Sequence, residues 1–353
     1  AQSATTVSGD TEFTLYGYLK LDMAYDSAVT SHGNFAMWVQ PHAEGDSPST
    51  QNITARQTRL GLLARREQVT AQIEFDFYGA GAENKHHLQM RKAYVDLPVG
   101  PVSLRAGQDS DVMSPLVPAT INYTVCWGVG NIGYRRPQLR LYQQGDNIAW
   151  ALALARNISP DLNGDTITDG VDSRLPLLQG RLAYTLSPKG RKLTVGGSGH
   201  YGSMQSDGAS EDRYTTWSVN GEASLSLTPK VKVLGEAYVG SNLATYFGSI
   251  LNQDSIDGLA SRGGWANLQY RATDLLTLSV GGSADSVDED DLVGAGARSA
   301  NRALFGNAQY EIGPGVKAGV ELSYWSTRYP NAPVGTEIEP NDLRFQLSIQ
   351  GNL

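Results

Sequence analysis

Apolar and polar residues alternate along most of this chain. In "VTAQIEFDFY", Val69, Ala71, Ile73, Phe75 and Phe77 hold one parity, while Thr70, Gln72, Glu74, Asp76 and Tyr78 hold the other. That is a strand with one greasy face and one wet, charged face. In "LRFQLSIQ", Leu343, Phe345, Leu347 and Ile349 oppose Arg344, Gln346, Ser348 and Gln350. "TWSVNGEASLSL" and "VKAGVELSYW" read the same way. Sixteen such segments follow one another: 13–25, 55–65, 69–78, 87–97, 102–108, 133–144, 147–156, 177–186, 191–201, 214–227, 230–240, 263–271, 275–284, 301–311, 315–326 and 342–351. Strands of roughly ten residues, tilted near 45°, are long enough to span a bilayer.

The connections carry an independent signal, because they alternate short and long. Short ones such as "PVGP" (98–101), "SPKG" (187–190) and "GPG" (313–315) have the Gly and Pro chemistry of tight turns. Long ones fall near 26–54, 79–86, 109–132, 157–176, 202–213, 241–262, 285–300 and 327–341. Seven short turns and eight long loops place both termini at the short-turn end. The expected fold is therefore all-β: a transmembrane antiparallel β-barrel of sixteen strands, with short periplasmic turns and long extracellular loops. Residues 1–12 form an N-terminal periplasmic segment and 13–353 a single barrel domain.

Composition narrows the choice between a soluble core and lipid. The chain has 353 residues, a formal net charge of −8, 40% apolar residues and one cysteine. No run approaches the roughly 18 apolar residues of a membrane helix. A soluble barrel would bury the inner parity, yet here that parity is charged, and unpaired buried charge is costly. A water-filled lumen removes the cost, and closure satisfies the backbone in lipid. Tyr16, Tyr25, Trp150, Tyr184, Trp217, Tyr270, Tyr310 and Tyr324 lie near strand ends, as interfacial girdles do. The start "AQSATT", without an initiator Met, has the small residues a signal peptidase leaves. Cys126 reads as a small buried residue, and the acidic balance argues against nucleic acid.

Several stretches together also resemble a known family. "LYGYLKLDMAYD", "TARQTRLGLLAR", "TAQIEFDFYG", "LQMRKAYVDL" and "LRAGQ" are similar to the DcaP-like porins of Gram-negative bacteria, best over roughly the first 150 residues. The resemblance implies a sixteen-stranded barrel of the outer membrane, a homotrimer, and uptake of small anions such as dicarboxylates. Two features depart from it. Only about twelve residues precede the first strand, where family members often carry a helical extension, and the chain ends "IQGNL" rather than on an aromatic residue.

In sixteen-stranded porins the third long loop folds into the lumen. Here it is apolar-rich, with Met113, Leu116, Val117, Ile121, Val125 and Trp127, and it opens with Asp109 and Asp111. Packing on the inner wall explains that content better than an exposed loop does. Candidate lumen cations are Lys20, Arg56, Arg59, Arg91, Lys92, Arg105, Arg135, Arg136, Arg140 and Arg181. Arg91 and Lys92 are adjacent, so strict alternation turns at most one of them inward. Facing acids are Glu74, Asp76, Glu222, Glu236 and Glu321. A ring of Arg in a narrow channel attracts carboxylates; the competing reading is a mixed lumen whose charges pair with each other.

"DLNGDTITDGVD" places Asp161, Asn163, Asp165, Ile167, Asp169 and Asp172 at the offsets of a calcium loop. Thr166 stands where the turn wants Gly, and Asp172 is shorter than the usual Glu, so an acidic solvated loop is the alternative. No catalytic cofactor is expected, and a structural Ca²⁺ in 161–172 is the candidate metal. His86 and His87 point to opposite faces, which is poor metal geometry, and no catalytic constellation is evident. The functional expectation is passive diffusion of small hydrophilic solutes, preferentially anions, with outer-membrane lipid and lipopolysaccharide as surroundings. A structural or adhesive barrel with a closed lumen is the alternative, and a soluble β-rich binding domain the third reading.

Overall fold

The computed structural model describes residues 4–46, 48–80, 85–158, 173, 175–187, 191–205, 213–255 and 257–353. Its strands are β1 (Ala4–Ser8), β2 (Thr11–Asp26), β3 (Thr50–Thr54), β4 (Arg59–Arg66), β5 (Val69–Asp76), β6 (Gln89–Val99), β7 (Val102–Ser110), β8 (Arg135–Gln144) and β9 (Ile148–Ala155). They continue as β10 (Leu177–Leu186), β11 (Lys192–Gln205), β12 (Arg213–Thr228), β13 (Val231–Ser241), β14 (Ala260–Arg271), β15 (Leu276–Val287), β16 (Ala300–Gly313), β17 (Val316–Arg328) and β18 (Asn341–Asn352). All pairings are antiparallel, and β18 pairs with β2, closing the sheet on itself. β3 pairs with Asp22–Asp26 of β2 and β4 with Glu12–Tyr18, so together they fill one position. The circuit therefore has sixteen positions.

Between β3 and β4 the ladder is interrupted, and the Thr58 hydroxyl takes its place by accepting from the Lys20 N–H at 3.1 Å. The short strand β1 pairs with Thr11–Leu15 and forms a hairpin at the short-turn end. The first strand and the turn of that hairpin lie within residues 1–12, read from sequence as an N-terminal segment. Among the described residues no helix is long and apolar enough to cross a membrane.

Side-chain exposure follows the period of two. On β2, Leu19, Leu21, Met23 and Tyr25 are exposed outward, while Lys20, Asp22 and Asp26 are buried within the barrel. On β18, Leu343, Phe345, Leu347 and Ile349 face out and Asp342, Arg344, Gln346 and Ser348 face in. The same inversion recurs around the wall, giving a continuous apolar belt far larger than a soluble surface tolerates. Lipid is the solvent that makes the belt favourable, and closure leaves no bare strand edge in it. Tyr25, Tyr184, Trp217, Tyr270, Tyr310 and Tyr324 are exposed on the outer face as expected. Tyr16 is a correction: it points inward, with its ring lying where a side chain on Gly61 would stand and its hydroxyl donating to Glu74 at 3.1 Å. Glycine at 61 makes that inward position available.

Candidate functional site

Three of the long connections fold back into the barrel. The third, residues 111–134, runs along the inner wall and satisfies its backbone on lumen side chains of successive strands. The Val112 N–H donates to Gln179 on β10 (3.1 Å), Ser114 to Ser198 on β11 (3.2 Å), and Leu116 to Glu236 on β13 (2.8 Å). Ala119 donates to Asn267 on β14 (3.1 Å). Ile121 and Asn122 both donate to the Glu321 carboxylate on β17, at 2.6 and 3.2 Å. Lys20 on β2 and Gln346 on β18 donate back to the Ile121 carbonyl at 3.2 and 3.4 Å. A loop inside a barrel has no ladder to pair with, so the polar inner parity serves as its hydrogen-bonding partner.

The apolar content of the loop packs in two places. Cys126 and Val129 join Ala28, Ala36 and Val39 of the first loop against Phe305 and Trp325 of the wall. Met113 and Ile132 join Leu177, Tyr238, Leu243 and Tyr246. Leu243 and Tyr246 belong to the connection between β13 and β14, which thus also plugs the lumen. This plug carries the run Ser249, Ile250 and Leu251 at positive φ, a backbone region non-glycine residues rarely hold.

The arc from β10 through β18 to β2 is thus covered by the loop, and the arc β4–β8 stands opposite it. That arc carries the cations read from the sequence. Arg91 bonds Glu74 (2.8 Å) and Asp76 (2.6 Å). Arg105 bonds Asp96 (2.6 Å) and Asp109 (2.5 Å), with its guanidinium 3.9 Å from the Tyr94 ring centroid. Arg140 and Lys92 lie 3.3 and 3.6 Å from Asp109, and Arg59 lies 3.7 Å from Glu74. Arg105 and Arg140 are direct cross-strand partners, a repulsive arrangement. Asp109 offsets it by taking both.

Arg91 and Lys92 correct the sequence reading. The register shifts here: Glu74 pairs with Lys92 and Phe75 with Met90, leaving Arg91 as an extra residue. A bulge changes the parity on either side of itself, so both cations enter the lumen. Two other candidates point inward but lie beneath loops and not at the aperture. Lys20 is held by Asp22 (3.2 Å), Gln57 (2.5 Å) and the Ile121 carbonyl. Asp111 is buried against Arg136 (2.8 Å) and Gln179 (2.6 Å). Arg59, Arg91, Lys92, Arg105 and Arg140 form a cation ladder on the β4–β8 arc, and Arg181, bonded to Glu222 across β10 and β12, lies on the wall away from it.

A vestibule on the long-loop side of the ladder was not read from the sequence. Its cavity, about 250 Å³, is lined by Phe35, Tyr78, Tyr123, Trp127, Tyr134 and Phe247 among others. The rings touch in series, from Phe35–Tyr78 (5.3 Å) and Tyr78–Tyr123 (4.1 Å) to the stacked pair Trp127–Phe247 (4.7 Å). Arg56 lies 5.3 Å from the Tyr78 ring, and Arg135 lies 4.5 Å from Tyr134. Neither makes an ion pair among the described residues. Burial pushes the hydroxyls of Tyr78 and Tyr123 up, with Asp22 and Asp76 respectively the largest charge contributing in the same direction, so both stay neutral donors.

His200 offers no chemistry to a solute. Both ring nitrogens are engaged, with Ser218 (2.8 Å) and Thr216 (2.9 Å), and the ring is buried against Tyr246. The calcium-spaced set Asp161, Asn163, Asp165, Ile167, Asp169 and Asp172 lies outside the described residues.

No family model and no curated protein matches this sequence. Solved structures do. The chain is similar to the outer membrane channel DcaP of Acinetobacter baumannii, with TM-score 0.81, 18% identity and 100% of both chains covered. It is similar to an anion-selective porin from Comamonas acidovorans, with TM-score 0.65, 12% identity, and 97% of this chain and 100% of that one covered. It is also similar to OmpT of Vibrio cholerae in a trimer form, with TM-score 0.59, 9% identity, and 97% and 99% covered. At these identities the likeness is one of fold.

Proposed function

We propose that this chain, which has the fold of the outer-membrane porins, is a passive diffusion channel of the bacterial outer membrane that prefers small anions. One observation carries the preference. Along the arc opposite the loop and its vestibule, Arg56, Arg59, Arg91, Lys92, Arg105, Arg135 and Arg140 stand against Glu74, Asp76, Asp96 and Asp109, seven cations to four carboxylates. Lys92 and Arg59 are 30% and 24% exposed, so their charge acts on the water-filled path. Unit charges about 4 Å apart interact by ~1 kcal/mol in bulk water and ~4 kcal/mol at an effective dielectric near 20. A surplus of this size gives a several-fold preference in a narrow channel. Paired guanidinium forks suit carboxylates by shape as well as charge, which favours carboxylates over chloride.

No bond is made or broken in this function. The solute moves down its gradient, and the third loop and the ladder set size and charge. The trimer form of the similar Vibrio protein supports a homotrimer here. The test is reversal potential in a planar bilayer under a KCl gradient, with and without added succinate. Chloride selectivity with succinate block supports the reading. Cation selectivity removes the anion preference and keeps the channel, and absence of conductance from folded protein favours a structural or adhesive barrel instead.

A further inference from the structure

The plug between β13 and β14 and the connection between β15 and β16 leave a cavity of about 610 Å³ between them at the long-loop end. Leu251, Leu259, Leu292 and Ala297 give it an apolar lining. Three of these pack with Ile250 and Val287 in one cluster, so that wall is firm. Val293, 93% exposed on the outer connection, also lines it and puts its mouth toward the outer solution.

Three carboxylates line the same cavity: Asp254 and Asp257 from the plug and Asp291 from the connection. Among the described residues none of the three makes an ion pair. The guanidinium of the lining, Arg298, is spent elsewhere. It donates to the Ile250, Leu251 and Gly296 carbonyls at 2.9, 3.1 and 3.3 Å and lies 4.2 Å from the Trp38 ring centroid. Asp254 is the sharpest observation. It is 4% exposed, its Oδ1 accepts the Ala244 N–H at 3.3 Å, and its buried Oδ2 has no partner among the described residues. A buried carboxylate without a counter-charge is costly, and burial pushes this carboxyl up to about 7. A cation brought to Oδ2 offsets that cost. Among the described residues no three histidine, cysteine or acidic side chains stand close enough together to hold a metal ion. A cavity of this size, mostly apolar with a few placed charges, fits a small organic molecule.

We infer that this cavity binds a primary alkylammonium from the outer solution. Its ammonium donates to Asp254 Oδ2, a charge-assisted hydrogen bond. Asp257 and Asp291 add attraction, and the hydrocarbon lies along Leu251 and Leu292. Leu251 follows closely on Phe247, whose ring stacks on Trp127 of the vestibule at 4.7 Å, so an occupant steadies a wall of the conducting path. The inference does not depend on the anion preference, and binding is read without current. The test titrates n-butylammonium, or uncharged pentan-1-ol, into the detergent-purified full chain at pH 8, followed by saturation-transfer NMR. The expected Kd for n-butylammonium is about 1 mM or tighter, with pentan-1-ol at least about tenfold weaker. Asp254→Asn, which keeps the shape and removes the charge, weakens n-butylammonium about tenfold or more. Asp291→Asn, on the other connection, weakens it about threefold and keeps the test valid should the plug variant misfold. Saturating n-butylammonium also slows protease cleavage within residues 242–259. Equal binding of the two probes overturns the inference, as does unchanged binding in both variants or cleavage that is not slowed. Full displacement by equimolar Mg²⁺ overturns it in favour of an inorganic cation site.

Discussion

Glu321→Ala tests how the third loop is held. Its carboxylate accepts the Ile121 and Asn122 N–H groups at 2.6 and 3.2 Å and the Asn307 amide at 3.0 Å, and the residue is buried. Hydrogen bonds to a charged group are each worth about 1.5–3 kcal/mol. Removing the two that hold the loop, with lumen water replacing part of the loss, shifts the attached–detached balance by about 3 kcal/mol. That raises the detached population roughly 150-fold. Cys126 reports it, because it sits on the same loop, is 2% exposed, and has a thiol pushed up to about 12 by burial. A buried neutral thiol is inert, whereas a released one reacts at mild alkaline pH. The expected result is maleimide labelling of Cys126 faster by about a hundredfold, with larger and noisier single-channel current. Labelling within about threefold of the unsubstituted rate, in a barrel that still resists heat in detergent, refutes the latch.

Three further perturbations probe other parts of the lumen. Arg91→Leu leaves Glu74 and Asp76 without their closest cation and lowers stability by ~3–5 kcal/mol, read as a fall in detergent melting temperature, with chloride selectivity also reduced. Gly130→Val forces a side chain onto φ 113° and into the Gly264 and Ala284 carbonyls, so Cys126 labelling accelerates while the strands still form. Burial raises Asp254, in the plug between β13 and β14, to about 7, partly offset by the Ala244 N–H. Its neutral form is the one the folded plug favours; that stability is full below the ordinary carboxylate value near 3.9 and is lost as pH rises through about 7. The plug therefore loosens between about pH 4 and 7, and Asp254→Asn flattens the pH dependence of protease cleavage within residues 242–259.

The strands and their faces were legible because a period of two with one lipid-facing parity leaves a signal in each strand alone. That both Arg91 and Lys92 enter the lumen was not, because a bulge is a property of pairing with β5 and leaves no mark in "MRKAY". Parity placed Lys20 correctly but could not say that the loop would cover it. Tyr16 misled because its fate depends on Gly61, distant in sequence and adjacent across the strands. The plug could have been found: "LATYFGSIL", 243–251, is as apolar as the third loop, whose inward folding was inferred on that ground. Its left-handed run at Ser249–Leu251 has no sequence signature, since none of the three is glycine.

The proposed anion preference does not conflict with a net charge of −8, because selectivity depends on which charges meet the water path. Glu236 and Glu321 lie under the third loop and accept its backbone N–H groups, at 2.8 and 2.6 Å. Asp288, Glu289, Asp290 and Asp291 lie in an outer connection, away from the ladder. Of the ladder cations, Lys92 and Arg59 stay part-exposed on the opposite arc, at 30% and 24%. The loop therefore does two things at once: it narrows the lumen and it hides the acids of the wall it covers. On the proposed reading this couples width to selectivity in a way a purely steric constriction does not. In Glu321→Ala the loosened loop uncovers Glu236 while Lys92, Arg105 and Arg140 stay in place. Conductance is then expected to rise as chloride preference falls, measured as a smaller reversal potential under the same KCl gradient. A wider channel with undiminished anion selectivity would mean that the ladder alone sets the preference and that burial of the far-wall acids contributes nothing to it.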